Sequence, residues 1–488
     1  MEQSSQKQMI SDSVYKNKYL ISTIVLIGVL MSVLDGFMVT VALPTITTYF
    51  NVSIGQSQWI ITSYLVVMTA LFIFFGKISE YVGKTRLFMI GWVLFTLSSL
   101  ACGLSSGITE LIIFRIAQAT GASMVAGVSG AILFHAFPQN EIGKAMGYFG
   151  ATIALGSLIG PILGGLITNY IGWQYIFLIN VPLGIILLLG GLKYLKIQEN
   201  KSESLNIDWI GTITFVLSVT TLLMFCSELA TDISFTGPLL IYGLVFILST
   251  IIFILQESKC ENPMLDLSIF KNRKFSLPLL TLLIFSIAYN MALVMSPFYF
   301  QGVMNYSPSQ VGLLFMAVSL SMAVAAPLGG KLYDKYRSKY ASGVAVLISA
   351  VSFVLLGYAY LTMNLYLIII ALFLWGIGYG LFTSPNSTET LGALPHEKTA
   401  IASSVSTTIK SLGGALGTSI ASIFLIMSLN IAGYSGEPLS ASQLILSNSI
   451  SISMFVAAGL SIIAAVIAVL RNINRKTALH EQSNEIDE

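Results

Sequence analysis

The sequence predicts an all-α integral membrane protein: fourteen transmembrane helices arranged 6+2+6, with both termini cytoplasmic. Three observations lead there: a composition too apolar for a soluble chain, apolar runs of membrane-crossing length, and a strict alternation in where basic residues fall. Hydrophobic residues make up 55% of the 488 residues, charged residues 9%, and the mean hydropathy is +0.83. Soluble domains carry roughly 25% charged residues. The net charge of +2 carries no nucleic-acid signal, because topology distributes it. Cys102, Cys226 and Cys260 are dispersed and lack metal spacing, so they support neither a disulfide framework nor a zinc site.

A spanning helix needs ~20 apolar residues. Runs of that kind occupy residues 20–44, 57–77, 87–104, 109–133, 143–169, 174–192, 207–228, 236–255, 275–300, 309–332, 340–360, 365–389, 400–428 and 446–470. The apolar run after the polar residues 1–19 is too long for a signal-peptide core and reads as a retained first span. Lysine and arginine gather on the cytoplasmic side of a membrane. Here every one except Arg115 and Lys410 falls in a tail or at a loop following an even-numbered span. One missed or invented span would scramble that parity.

Taken in order, span 1 carries the one acid well inside the apolar region, Asp35, in its outer half. Span 4 runs inward and carries Arg115 in the same outer half, with Gln118 one turn below it on the same face. An intramembrane ion costs at least ~2.5 kcal/mol to bury and marks a functional site by default. Two readings stand: a static ion pair joining spans 1 and 4, or a carboxylate that exchanges protons under the bias of the arginine. Span 5 holds Gly147, Gly156, Gly160, Pro161, Gly164 and Gly165. Gly156, Gly160 and Gly164 share one helix face, which admits a close neighbour in a bilayer. Glu228 and Glu389 sit near span ends. The histidines, His135, His396 and His480, read as loop and tail residues and form no convergent catalytic set.

The chain also repeats itself. Gly76-Lys77-Ile78-Ser79-Glu80 after span 2 returns as Gly330-Lys331-Leu332-Tyr333-Asp334 after span 10. Setting spans 7 and 8 aside makes these equivalent loops of two parallel six-helix halves, as in many transporters. The organisation is therefore a tail (1–19), a six-helix bundle (20–192), two linker helices with flanking loops (193–274), a second bundle (275–470) and a tail (471–488). An acid repeated at matching helix ends suits a gate that pairs in one state and releases in another. No GxxxxGK[ST] phosphate loop occurs, so an ion gradient is the expected energy source. One deep carboxylate favours the proton over sodium, which needs several converging oxygens.

On these residues the chain resembles the major facilitator superfamily, specifically its fourteen-span drug:proton antiporters, over nearly its whole length. GKISEYVGKTR matches the family's loop motif at Gly76, Gly83, Lys84 and Arg86, with Glu80 for aspartate. The second copy keeps Gly330 and Asp334 but has Arg337 where the glycine would be. RIAQATG resembles the span-4 motif through Arg115, Gln118 and Gly121, with Ala119 for a glycine. The span-5 stretch matches the antiporter motif G-x8-G-x3-GP-x2-GG at every fixed position. LDGFMVTVALP resembles the span-1 motif in Asp35 and Pro44, with Phe37 and Thr40 for the usual threonine and asparagine. WQYIFLINVP resembles the span-6 segment, with Gln174 where arginine is usual, and Lys410 stands where span 13 commonly has arginine.

The resemblance implies a major facilitator fold. It further implies a proton-coupled antiporter exporting amphipathic drugs or toxic compounds, hence antibiotic resistance, and an address in the plasma membrane. Asp35 and Arg115 would couple the proton; Gly76, Glu80, Gly83, Lys84, Arg86, Gly330 and Asp334 would gate. The span-5 motif would be a pliant, close-packed hinge sealing the outward side. Candidate cavity residues are Met31, Met38, Tyr64, Gln118, Tyr289, Asn290, Met295, Gln301, Trp375, Tyr379 and Asn386. No cofactor and no metal is implied. The expected partners of a monomer are small amphipathic substrates, protons and membrane lipids, with no nucleic acid or nucleotide. The alternative is a dedicated exporter of one endogenous metabolite, peptide or lipid-like compound.

Overall fold

A computed structural model describes residues 17–137, 142–195, 208–231, 237–260, 263, 265–336, 338, 340–394, 399–434, 436 and 438–470. Among these, the regular structure is helical throughout. The chain opens with α1 (Lys18–Phe50), α2 (Ile54–Val82), α3 (Lys84–Gly103), α4 (Ile108–Ala136), α5 (Ile142–Tyr170) and α6 (Asn180–Tyr194). It continues with α7 (Trp209–Thr231), α8 (Gly237–Lys259), α9 (Arg273–Gly302), α10 (Pro308–Tyr336) and α11 (Ala341–Leu361). It closes with α12 (Leu365–Leu391), α13 (Thr399–Ile431) and α14 (Gln443–Leu470). Thirteen helical spans among the described residues are long and apolar enough to cross a membrane. The remaining predicted span, the second, falls on α2.

The boundaries differ from expectation where side chains re-satisfy the backbone. The first span was expected to stop at Pro44, yet α1 runs through it to Phe50 and is closed by Asn51 in a left-handed conformation. Thr47 and Thr48 donate back to the carbonyls of Leu43 and Pro44 at 2.8 and 3.1 Å, which steadies the turn around the proline. Ahead of α2, Ser53 and Gln56 form a reciprocal capping box, so the helix begins three residues before its apolar run. The sixth span is broken: one turn, Tyr175–Leu178, precedes α6. Pro182 cannot donate to the Leu178 carbonyl, which interrupts the ladder there. His135 belongs to the last turn of α4 rather than to a loop; His396 and His480 lie outside the described residues.

The chain divides into two compact units. The first comprises residues 1–220, 248–264 and 307–312. In it α1 packs along α5, α3 along α4, α2 along α4, and α6 against α3 and α1. The second comprises residues 221–247, 265–306 and 313–488. In it α9 packs along α13, α11 along α12, and α14 against α11 and α9. The α1–α5, α3–α4, α6–α3 and α6–α1 pairings thus recur shifted by eight helices. The α7–α8 hairpin is divided, its open ends belonging to the first unit and its tip to the second. It is joined by a Ser218–Thr250 hydroxyl bond of 2.7 Å and by the rings of Phe215 and Phe253, 5.3 Å apart. On α8 the side chains of Leu240, Ile241, Leu244, Ile247, Leu248, Ile251 and Ile252 are exposed. An apolar stripe of that length facing outward suits lipid, as does the solvent-facing apolar surface of α3 and α11.

Candidate functional site: a buried ion pair and its glycine track

Asp35 stands in the middle of α1 and Arg115 two turns into α4; both are fully buried, at 0% and 1% exposure. Arg115 Nη1 donates to Asp35 Oδ2 at 2.5 Å. The other carboxylate oxygen accepts from Gln118 Nε2 at 3.0 Å and from Asn180 Nδ2 at 3.2 Å. Gln118 follows Arg115 by one helical turn; its Oε1 accepts from Arg115 Nη1 at 2.6 Å and its amide donates to Ser99 Oγ at 2.7 Å. Arg115 Nε donates to the Ile60 carbonyl at 3.2 Å. The guanidinium lies over the Tyr64 ring at 4.1 Å and near the Phe177 ring at 5.6 Å. Helices α1, α2, α3, α4 and α6 thus all contribute to one buried polar cluster.

Among the described residues each hydrogen-bond partner of Asp35 is a donor, an arrangement that suits a carboxylate. Removing one partner of a buried pair costs about 3–5 kcal/mol, because the other charge is left uncompensated. The sequence pointed to Asp35, Arg115, Gln118 and Tyr64. It did not point to Ser99 or Asn180. The available signal for Asn180 was an amide beside Pro182 in an apolar run, where the broken ladder turns the side chain inward.

The glycines of α5 define how the Asp35 helix is seated. A Cβ on Gly156 would stand 2.7 Å from Val33 Cγ1, and one on Gly160 2.7 Å from Phe37 Cβ. On Gly164 it would stand 2.6 Å from Met38 Cα, closer than real Cβ contacts allow. The contacted residues flank Asp35 on either side. Within the same unit, Gly165 faces the carbonyl of Pro308, and a Cβ on Gly312 would lie 2.5 Å from the Pro161 carbonyl. The side-chain surroundings of Gly147 lie outside the described residues.

Of the loop motif, Gly83 alone joins α2 to α3 and has φ of +99°, a backbone that only glycine adopts without strain. Lys84 is half-buried and Arg86 exposed. Gly76 packs against Gly127 of α4, and a Cβ on Gly330 would stand 2.9 Å from Ser384 Oγ of α12. The side chains of Glu80 and Asp334 lie outside the described residues.

The remaining cavity candidates separate into groups. Tyr289, Trp375 and Tyr379 meet: the tyrosine rings are 4.2 Å apart and Trp375 is 5.4 Å from Tyr289. Met31 belongs to the first unit's core cluster, as does Trp92. Met38 is seated at Gly164, and Met295 is fully buried. Asn290 donates to the Ser286 carbonyl at 2.9 Å. Asn386 is buried, its Oδ1 lacking a hydrogen-bond partner among the described residues. Gln301 lies at the end of α9, half-buried.

Comparison with known proteins gives a match to the family model described as Major Facilitator Superfamily over residues 25–418. The chain is 35% identical to the riboflavin transporter RibZ of Clostridioides difficile over 420 residues, 85% of this chain and 90% of that one. It is 30% identical to the multidrug export protein EmrB of Escherichia coli K12 over 392 residues, 80% of this chain and 77% of that one. Among solved structures, a peptide transporter POT in complex with sulfate superposes with TM-score 0.71 at 13% identity, covering 96% of this chain and 98% of that one. A bacterial homolog of the human lysosomal transporter Spinster, in an inward-facing and unoccupied conformation, gives TM-score 0.66 at 15% identity over 93% and 96%. At such identities the structural likeness shows the fold.

Proposed function

The chain belongs to the major facilitator superfamily and is a multi-pass membrane transporter, and from that premise we propose that it is a proton-coupled antiporter exporting amphipathic compounds by alternating access. The observation that carries the coupling is the buried Asp35–Arg115 pair, held by Gln118 and Asn180 inside the membrane-spanning region. Asp35 would take a proton from outside and give it up inside, with Arg115 released and recaptured as it does so. A ligand shifts a conformational equilibrium only through differential affinity, so proton and substrate would act by favouring opposite-facing states. Relatives with multidrug export in their names, at about 30% identity, support the substrate side of this reading.

The halves that rock would be 20–192 and 275–470, joined through 193–274, with both termini cytoplasmic. The recurrence of helix pairings eight helices apart supports that division. The gate would lie at the two loop motifs. The α5 motif would be the packed surface that seals the outward side. Plasma-membrane residence and a monomeric state complete the proposal.

A second reading, a carrier dedicated to one compound, is favoured by the 35% identity to a riboflavin transporter over 85% of the chain. The deciding experiment is pH-gradient-driven transport in proteoliposomes of lipophilic cations, neutral drugs and riboflavin, with Asp35→Asn beside the wild type. Transport of several compounds, lost in the variant while the protein stays folded, is the expected result. Undiminished gradient-driven export by Asp35→Asn would remove the coupling role. Transport of a single compound would select the dedicated carrier.

A further inference from the structure

The second unit contains a cation that the coupling reading does not use. Lys410 lies on α13, six residues into its apolar stretch Val405–Ile431, yet its side chain is exposed. It stands one turn before Gly413, where a Cβ would be 2.7 Å from Ser286 Cβ of α9, so this side of α13 faces other helices rather than lipid. Lys410 Nζ is 5.9 Å from the centre of the Tyr379 ring, and the Tyr379 phenol is the polar group beside it. Among the described residues no carboxylate forms an ion pair with it.

Around that ammonium is an aromatic wall from α9 and α12. Tyr379 lies 4.2 Å from Tyr289 at an interplanar angle of 34°, and Phe285 lies 5.9 Å from Tyr379. Trp375, one turn from Tyr379 on α12, is wholly buried, and its indole N–H has no acceptor among the described residues. A buried donor without an acceptor is disfavoured unless something else supplies one. Tyr289 and Tyr379, each 8% exposed, are the least buried of these rings, while Phe285 and Trp375 are wholly enclosed. The cluster thus presents flat apolar surface, one cation and an unused donor, with no anion of its own.

We propose that Lys410, Tyr379, Tyr289 and Trp375 form a substrate subsite for flat aromatic compounds carrying a single negative charge. The ring stacks against Tyr289 and Tyr379 in the offset manner aromatic pairs prefer. The anionic group sits at Lys410 Nζ, with which it makes a charge-assisted hydrogen bond. An acceptor elsewhere on the ring system answers the Trp375 N–H. A cationic analogue would meet the lysine as a like charge and be rejected. The inference rests on the reading of the chain as a carrier of small amphipathic compounds and narrows its substrate class.

The test is equilibrium binding to the full-length protein in nanodiscs without any gradient, using 2-naphthoate, the neutral 2-naphthamide and naphthylmethyl-trimethylammonium. The wild type is expected to bind naphthoate about tenfold more tightly than the amide, and the cation least. Lys410→Gln should bring naphthoate down to the amide's affinity and leave the amide unchanged, while Lys410→Arg keeps most of the preference. Equal affinities for the three probes in the wild type would overturn the proposal, whatever the variants do. A preference surviving Lys410→Gln would overturn it as well. Because no proton gradient is applied, failure of Asp35 coupling and failure of this subsite give separate results.

Discussion

The Asp35 carboxylate and the Arg115 guanidinium hold each other in a place where neither is tolerated alone. Asp35→Asn and Arg115→Gln, made singly, are expected to lower unfolding stability by about 3–5 kcal/mol, since each strands the other charge. Together they should recover most of that loss, as read by thermal unfolding in detergent, while gradient-driven transport stays absent. A double variant that transports normally would make the pair purely structural. Asn180→Ala removes one hydrogen bond to a charged acceptor and should cost about 1.5–3 kcal/mol by the same measurement. This cluster was half legible in the sequence. Charged residues in apolar runs announce themselves, so Asp35 and Arg115 were plain. Ser99 and Asn180 are ordinary neutral side chains whose value comes from where α3 and the broken sixth span deliver them. Lys410 was visible as a charge, but its meaning depends on the rings that α9 and α12 bring beside it.

Along α5 the small face is a close helix contact, taken up by the Val33 and Phe37 side chains at Gly156 and Gly160 and by the Met38 backbone at Gly164. Gly164→Ala should leave the protein in the membrane but arrest transport, because the added methyl group must push Met38 and the Asp35 helix away. Gly150→Ala on the same helix, where a Cβ meets nothing within 4 Å, is the matched control and should transport normally. Initial transport rates of the two variants at equal membrane expression decide the matter; equal rates would show that the contact is not needed for the cycle. The motif's spacing in the sequence indicated a small face, yet not the partner. Helix pairing is a property of the assembled unit, and nothing in residues 147–165 says that Val33, Phe37 and Met38 lie opposite. Helix ends were misread for a local reason: threonines that bond back to the carbonyls of Leu43 and Pro44 let α1 run on past a proline.

At the scale of the whole molecule, the alternation of basic loops makes a prediction about sidedness. In a background with Cys102, Cys226 and Cys260 replaced by serine, a membrane-impermeant maleimide should label Thr362→Cys on intact cells. Arg86→Cys, in the opposite set of loops, should react only after the membrane is opened; the reverse pattern would invert the topology. Both positions are exposed, so the reagent's access is decided by the membrane alone. The thirteen membrane-crossing helices among the described residues were readable because apolar length is a property of the sequence by itself. The division into two units was signalled only by the short Gly-x-x-x-acid repeat, since the α7–α8 hairpin interrupts the symmetry and is shared between the units. The track on α5 also bears on inhibition. A compound resting on the aromatic wall can be escaped by exchanging one ring for another, since many side chains fill such a space. A wedge lodged between α5 and α1 leaves the chain no comparable exit, because any larger residue at Gly164 blocks the same movement that the wedge blocks.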